Sequence, residues 1–228
     1  MRAPISIIIP TLNAGSELPG TLAALAEGLE AGLIRELILS DGGSVDATPA
    51  LADQAGAVLI AGAAGRGGQL ARGADAAQGA WLLFLHADTH PGPGWAQAVL
   101  RHMRADAGAA GYFRLRFRAN GPAPWLFAGW ANLRARYLGL PYGDQGLLIA
   151  RALYDEVGGF ADIPLMEDVA IARALSGRLR RLNATAETSA ARYRAQGWLR
   201  RGSRNLITLA RYLMGADPDR LARFYAGK

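Results

Sequence analysis

The 228-residue sequence has no cysteine. A disulfide framework, a thiol nucleophile, a Cys-ligated zinc and an iron–sulfur cluster are therefore excluded. Lysine occurs once, at Lys228, so the Gly-Lys-Ser/Thr end of a P-loop is missing as well. No stretch of about 18 uncharged apolar residues exists, and no membrane-spanning helix is expected. The stretch Met1–Asn13 runs straight into a strand-like segment. It lacks the basic start, long apolar centre and small-residue cleavage site of a secretory signal. With the absence of cysteine, this predicts a cytoplasmic protein, either free or peripheral on the inner membrane face.

With 51% hydrophobic and 19% charged residues, the chain suits one well-buried core rather than two large domains or a disordered state. The net charge of +6 is uneven: residues 1–189 carry 16 Arg against 17 Asp and Glu, whereas 190–228 carry eight Arg and Lys228 against two Asp. A neutral body thus precedes a basic tail. Such a tail suits phosphates, nucleic acid or an anionic membrane, and equally a solvated helix face.

Ile5–Ile9 reads as a buried parallel strand ending at Pro10. Ser16–Glu30 has the apolar spacing of one amphipathic helix. Glu36–Ser40 is a second strand, and Val45–Ala55 a helix capped by Ser44 or Asp46. Ala57–Ile60, a Gly-rich loop over Gly62–Gly68, a helix over Gln69–Gln78 and a strand over Trp81–Leu85 follow. The alternation predicts an open, mostly parallel α/β sheet flanked by helices. Farther on, Tyr112–Arg118 alternates as a half-exposed strand. Pro122–Tyr142 is rich in aromatics, which suit sugar stacking but by default are core. Asp168–Ser176 opens as a helix led by two acids. Gly197–Met214 sets Leu199, Leu206, Leu209 or Ala210, and Leu213 on one face, with Arg200, Arg201, Arg204 and Arg211 on the other. The apolar stripe is expected to pack on the body; the alternative is that the tail rests on anionic lipid.

Ligands of such sheets bind beyond the carboxyl ends of the strands. Three of these ends are polar: Thr11 and Asn13, then Asp41, then His86 and Asp88. The Gly-x-Gly-x-x-Gly turn of a dinucleotide site is absent after the first strand. Arg66, within Gly65–Gly68, suits a phosphate or a plain surface loop. A carboxylate at Asp88 suits a hard divalent cation. Glu167-Asp168 suits a helix N-terminus or a base that accepts a hydroxyl proton.

Five segments in order carry a family resemblance: Ile9-Pro10-Thr11-Leu12-Asn13; Leu37–Thr48 with Ser40-Asp41-Gly42-Gly43-Ser44; Arg66-Gly67; Leu83–Thr89 with His86-Ala87-Asp88; and Gly158-Gly159-Phe160 with Glu167-Asp168. Together, over about residues 4–180, they resemble the family 2 glycosyltransferases of the GT-A (Rossmann-like) fold. The His-Ala-Asp form, Gly143-Asp144-Gln145-Gly146 and the Arg-rich tail resemble a small bacterial subgroup labelled arsenosugar-biosynthesis-type.

The resemblance implies a GT-A domain over 1–189, with a nucleotide-binding half at 1–90 and an acceptor half at 91–189, and a basic amphipathic helical tail over 190–228 packed on it. It implies an inverting transfer of a sugar from a UDP- or GDP-linked donor to a hydroxyl on a small or lipid-linked acceptor, with Mn²⁺ or Mg²⁺ as cofactor and no nucleic acid partner. By position, Pro10, Thr11 and Asn13 would line the base and ribose. Asp41 would bond the base, and Arg66, His86 and Ala87 would lie along the nucleotide. Asp88 would hold the metal, and Asp168, or else Glu167, would be the base. Gly143, Asp144, Gln145, Gly158 and Gly159 would shape the sugar and acceptor pocket. Three positions depart from the family pattern: His86 replaces the first acid of the metal motif, Ala14 the acid after Asn13, and Gly42 the acid after Asp41. A nucleotidyltransferase, a phosphate-reading nucleic-acid module and an inactive nucleotide-sugar binder are the rival readings.

Overall fold

A computed structural model describes residues 3–226; Lys228, the one lysine, lies outside them. The eight strands described form a single sheet in the order β3-β2-β1-β4-β7-β6-β8-β5. The strand β1 (Ile5–Thr11) pairs in parallel with β2 (Ile34–Asp41) on one side and β4 (Trp81–Phe84) on the other. β3 (Val58–Ala61) adds in parallel to β2. Ile5, Ile7, Ile8, Ile9, Leu82, Leu83 and Leu85 are fully buried and form the centre of the core. This is the continuous apolar signature of strands covered on both faces.

β1 continues through Pro10, which lies opposite Ser40. A central-strand proline is tolerated here for a local reason. Thr11 O accepts from Gly42 N on the β2 side, and Ile8 O from Leu85 N on the β4 side. Strand residues alternate direction, so Pro10 faces β4 beyond its last paired residue, Phe84. Its missing N–H therefore costs no ladder bond.

The expected single helix over Ser16–Glu30 is two: α1 (Leu18–Ala24) and α2 (Ala26–Glu30). Leu25 N donates to Leu22 O, an i→i−3 bond that tightens the chain at the join. α3 (Thr48–Gln54) starts later than expected, and neither Ser44 nor Asp46 is its N-cap. Asp46 Oδ1 instead accepts from Thr48 N and Oγ1, and Ser44 turns toward the strand ends. α4 (Arg66–Ala76) absorbs the last three residues of the predicted Gly-rich loop into its first turn. A Cβ at Gly67 would meet backbone of Ala161 and Ile163, and one at Gly68 would meet Asp162. These glycines let the helix start press on the 161–163 segment.

The second half of the sheet is mixed rather than parallel. β7 (Leu147–Ala150) runs antiparallel to β4 and to β6 (Ala110–Phe117), and β8 (Leu179–Thr188) runs parallel to β6. β5 (Thr89–Pro91) closes the far edge antiparallel to β8. α5 (Trp95–Ala105) buries Trp95 against α2, and α6 (Pro122–Leu138) lies along β6. α7 (Arg151–Glu156) follows β7, and α8 (Glu167–Ala174) precedes β8.

The tail forms α9 (Ala191–Gln196), α10 (Trp198–Leu213) and α11 (Pro218–Ala226). It packs on the body through Tyr193 and Trp198, stacked at 4.7 Å and set against Phe117 and Phe127, and through Leu209 beside Leu140, Met166 and Val169. The buried face of α10 is shifted around the helix from the expectation: of the expected apolar stripe only Leu209 meets the body. Arg201, Thr208 and Leu209 are buried, while Leu199, Leu206 and Leu213 are exposed. Arg201 tolerates burial because its guanidinium donates to Gln196 Oε1 at 3.0 Å and Tyr225 Oη at 2.9 Å. Of the aromatics of α6, Phe127 packs inward, but Trp125, Trp130 and Tyr137 are exposed and not core.

Gly67→Ala should destabilise the protein by about 1–3 kcal/mol, because backbone cannot yield as a side chain does. A lower urea midpoint is the expected result; an unchanged midpoint would show that the 161–163 segment moves aside.

Candidate functional site

The ends of β1 and β2 are stitched by one carboxylate. Asp41 is 3% exposed. Its Oδ1 accepts from Thr11 Oγ1 at 2.8 Å and Ser44 Oγ at 2.6 Å, and its Oδ2 from Gly43 N at 2.9 Å and Ser44 N at 2.7 Å. These bonds hold the carboxyl below its ordinary 3.8, although burial opposes them. A carboxylate has about four acceptor positions, and all are taken by the turn. The base contact expected of Asp41 is therefore not open in this arrangement. Ser44 Oγ also accepts from Asn13 N, and Asn13 Oδ1 accepts from Val45 N. Asn13 takes a positive φ of 50° within this lattice, a conformation that Asn tolerates better than most residues.

Beyond these ends opens a cleft of about 540 Å³, within the usual size of a small-molecule site. It brings together ten of the residues singled out from sequence: Pro10, Thr11, Asn13, Arg66, His86, Ala87, Asp88, Gly143, Asp144 and Asp168. A smaller cavity of about 30 Å³ adjoins it, sharing Asp168 and adding Glu167. Three expected pocket residues lie elsewhere. Gln145 is buried, with Nε2 donating to Phe113 O at 3.1 Å, so it props the sheet. Gly158 and Gly159 take positive φ values of 84° and 66° and turn the chain after α7. They act on the small cavity only by delivering Phe160 to its wall.

The His86–Asp88 segment is pinned through its backbone. Thr21 Oγ1 donates to Ala87 O at 2.6 Å, Arg118 Nη1 to Asp88 O at 2.6 Å, and Thr89 N to His86 O at 3.0 Å. Burial pushes the Asp88 carboxyl up, against the pull of Arg192. Burial, with Arg66 and Arg192 nearby, keeps His86 well below its ordinary 6.5 and hence neutral. Across the cleft, Gly143 N donates to Asp168 Oδ2 at 3.0 Å. A Cβ on Gly143 would strike the His86 ring, so glycine lets the two walls close on each other. Asp144 is pushed up to about 6 by burial, opposed mainly by Arg134, and its Oδ1 is buried with no partner. Glu167, 1% exposed, accepts from Arg66 Nη1 at 3.2 Å. Burial first, then the neighbouring Asp168, drive its carboxyl above 4.5 despite Arg66.

No group of three or more His, Asp or Glu side chains suited to a metal occurs among the described residues. One cleft carboxylate beside a neutral imidazole does fit Mg²⁺ or Mn²⁺ that draws its other ligands from water and phosphate oxygens, the usual habit of Mg²⁺.

The sequence reading missed two parts of the cleft. Gln69 Nε2 bridges Thr11 O and Ser40 O, both at 2.7 Å, clamping the rim of the sheet. The tail supplies a wall through Arg192, Tyr193, Arg201, Asn205 and Tyr225. Asn205 Nδ2 donates to Tyr193 Oη, and Tyr225 Oη donates to Asn205 Oδ1. The only hint in the sequence was the polar and aromatic content of residues 190–226.

Residues 6–160 match the family described as Glycosyl transferase family 2. The chain belongs to this family. A PGL/p-HBAD biosynthesis glycosyltransferase of Mycobacterium bovis is 43% identical over 96 residues, which are 39% of this chain and 37% of that protein. The chain thus aligns with little more than a third of the length of that relative. Among solved structures, glucosyl-3-phosphoglycerate synthase from Mycobacterium tuberculosis, in complex with Mn²⁺, UDP and glucosyl-3-phosphoglycerate, aligns with a TM-score of 0.57 at 21% identity, covering 82% of this chain and 70% of the other. S. aureus TarS in complex with UDP-GlcNAc aligns with a TM-score of 0.63 at 16% identity, covering 82% and 58%. These likenesses show the GT-A fold of the family 2 glycosyltransferase. No helix among the described residues is long and apolar enough to cross a membrane.

The raised Glu167 carboxyl makes the folded state bind its proton more tightly than the unfolded chain does. That contribution to stability is complete below 4.5 and is lost as pH rises through the elevated value. Glu167→Gln can still accept from Arg66 and should give a shallower fall in unfolding free energy from acid toward neutral pH. Parallel profiles for the two proteins would contradict this.

Proposed function

We propose that this family 2 member is an inverting hexosyltransferase that moves a sugar from a nucleoside-diphosphate sugar to a hydroxyl on a small or lipid-linked acceptor. The observation that carries the reading is that one cleft joins the end of β1, the His86–Asp88 segment and the Asp144 and Asp168 carboxylates. A uridine donor is favoured over a guanosine one by the UDP and UDP-GlcNAc held in the aligned structures. The arsenosugar-type assignment rests on His86-Ala87-Asp88, Gly143–Gly146 and the Arg-rich tail alone.

In this reading Pro10, Thr11 and Asn13 form the floor under the nucleoside, held rigid by Asp41 and Gln69. Asp88 and the neutral His86 would hold a divalent cation. When bound, such an ion offsets the charge of the departing diphosphate. Arg66 and Arg192 add fixed positive charge to the cleft, which stabilises charge as it develops without reorganisation. Asp168 is the base. Its Oδ2 is oriented by Gly143 N, and it takes the proton of the attacking hydroxyl. The tail wall of Tyr193, Arg201, Asn205 and Tyr225 bounds the acceptor side. Asp144 is the second carboxylate able to serve as base, given its cleft position and unpartnered Oδ1.

Asp168→Asn should keep donor binding and lose transfer by ~10²–10⁴-fold. Near wild-type turnover in Asp168→Asn, with the loss appearing in Asp144→Asn, would move the role to Asp144. Turnover by wild-type protein also separates the transferase from an inactive nucleotide-sugar binder. A thermal-shift panel of UDP, GDP, CDP and dTDP, each with and without Mn²⁺, should show the largest rise for UDP with metal. Asp88→Ala should abolish the Mn²⁺-dependent part; an equal UDP shift with and without chelator would argue against a metal.

A further inference from the structure

Two helices carry large apolar side chains that the core does not use. On α6, Leu126, Trp130, Leu133 and Tyr137 recur at spacings of four, three and four, so they form one stripe. On α10, Leu199, Leu206 and Leu213 recur every seven residues. All seven are between 47 and 80% exposed. The two stripes adjoin. A Cβ at Gly202 would strike the Phe127 ring, so α10 meets α6 at Gly202. At 100° per residue, Leu199, Leu206 and Leu213 lie within about 60° of Gly202 around the helix. Arg200, Arg204 and Arg211 lie on the far side, about 160–180° from it. The face therefore runs from an aromatic stripe to a leucine stripe to a row of arginines.

Along α6 and α10 the charge has one sign. No Asp or Glu occurs from Gly121 to Gly143 or from Thr188 to Ala216. Among the flanking cations, Arg136 sits over Tyr137 at 5.4 Å and Arg211 over Phe224 at 4.4 Å. Arg stems that cover apolar surface while their heads reach outward, beside Trp and Tyr, are the chemistry of a headgroup boundary. A second copy of this chain would bring like-charged arginine rows together, with no acid on α6 or α10 to pair them.

We propose that the α6–α10 face docks on an anionic lipid bilayer, with the leucines and aromatics entering the headgroup boundary and the arginines binding lipid phosphates. α10 also gives Arg201 and Asn205 to the cleft wall, so docking holds the cleft close to the lipid surface. Delivery of a lipid-linked acceptor there rests on the proposed transferase reading; docking itself does not.

The test is flotation of the full chain, without donor or acceptor, on vesicles of phosphatidylglycerol and phosphatidylcholine in equal parts, against pure phosphatidylcholine. The protein should float with the anionic vesicles alone and be released as salt screens the arginines. Trp130→Ser/Tyr137→Ser and Arg200→Glu/Arg211→Glu should each lower the bound fraction about tenfold or more. Their thermal midpoints should stay at the wild-type value, since these side chains are exposed. Absence of flotation, equal flotation on pure phosphatidylcholine, or undiminished binding by either double variant overturns the proposal. So does a dimer in sedimentation velocity that Trp130→Ser breaks, which would assign the face to self-association.

Discussion

The site depends on the pairing of β1 on both sides by parallel strands. β2 and β4 run in its direction and end at the same rim, so Thr11, Asp41 and His86–Asp88 meet although about 75 residues separate the first from the last. The rim is then locked by two buried polar groups. Asp41 spends its acceptor positions on Thr11, Gly43 and Ser44, and Gln69 bridges the Thr11 and Ser40 carbonyls across the two strand ends. A fully satisfied polar network of this kind holds a single geometry. The cleft thus has a rigid floor before any ligand arrives.

The opposite wall is built differently. Gly143 brings Asp168 and His86 close, and Asp144 and Glu167 sit beside them in partly or wholly desolvated positions. Burial raises the proton affinity of Asp144 and Glu167, and the neighbouring Asp168 charge adds to it. Arg66 offsets this at Glu167 and leaves Asp168 as the acid that faces both cavities. The wall is costly for folding at neutral pH, and this type of arrangement is concentrated where proton transfer is needed.

The tail joins these parts to the outer surface. Its inner face buries Arg201 and Leu209 and lines the cleft, while its outer face leaves leucines uncovered next to the exposed aromatics of α6. One amphipathic helix thereby serves two surfaces. Its hydrophobic pattern predicted a helix correctly, but of the stripe expected to meet the body only Leu209 does. Arg201 could go inside because Gln196 and Tyr225 supply its hydrogen bonds, and no one-dimensional pattern records that supply.

The sequence by itself determined the α/β class, the four parallel strands of the first half and the polar residues at their ends. Continuous β-branched runs and the Asp-Gly-Gly-Ser and His-Ala-Asp segments are local signals, and local signals survive in one dimension. It also supplied Arg66, Asp88, Gly143, Asp144 and Asp168, all of which line one cleft. Tertiary structure alone decided that Asp41 is consumed by its own turn and that Gln145, Gly158 and Gly159 stand behind the cleft. It also set the mixed order of the second half of the sheet and turned the arginine-rich tail into a wall. Each of these depends on contacts between segments distant in sequence, where the available partners, not residue type, fix which groups are free to meet a ligand.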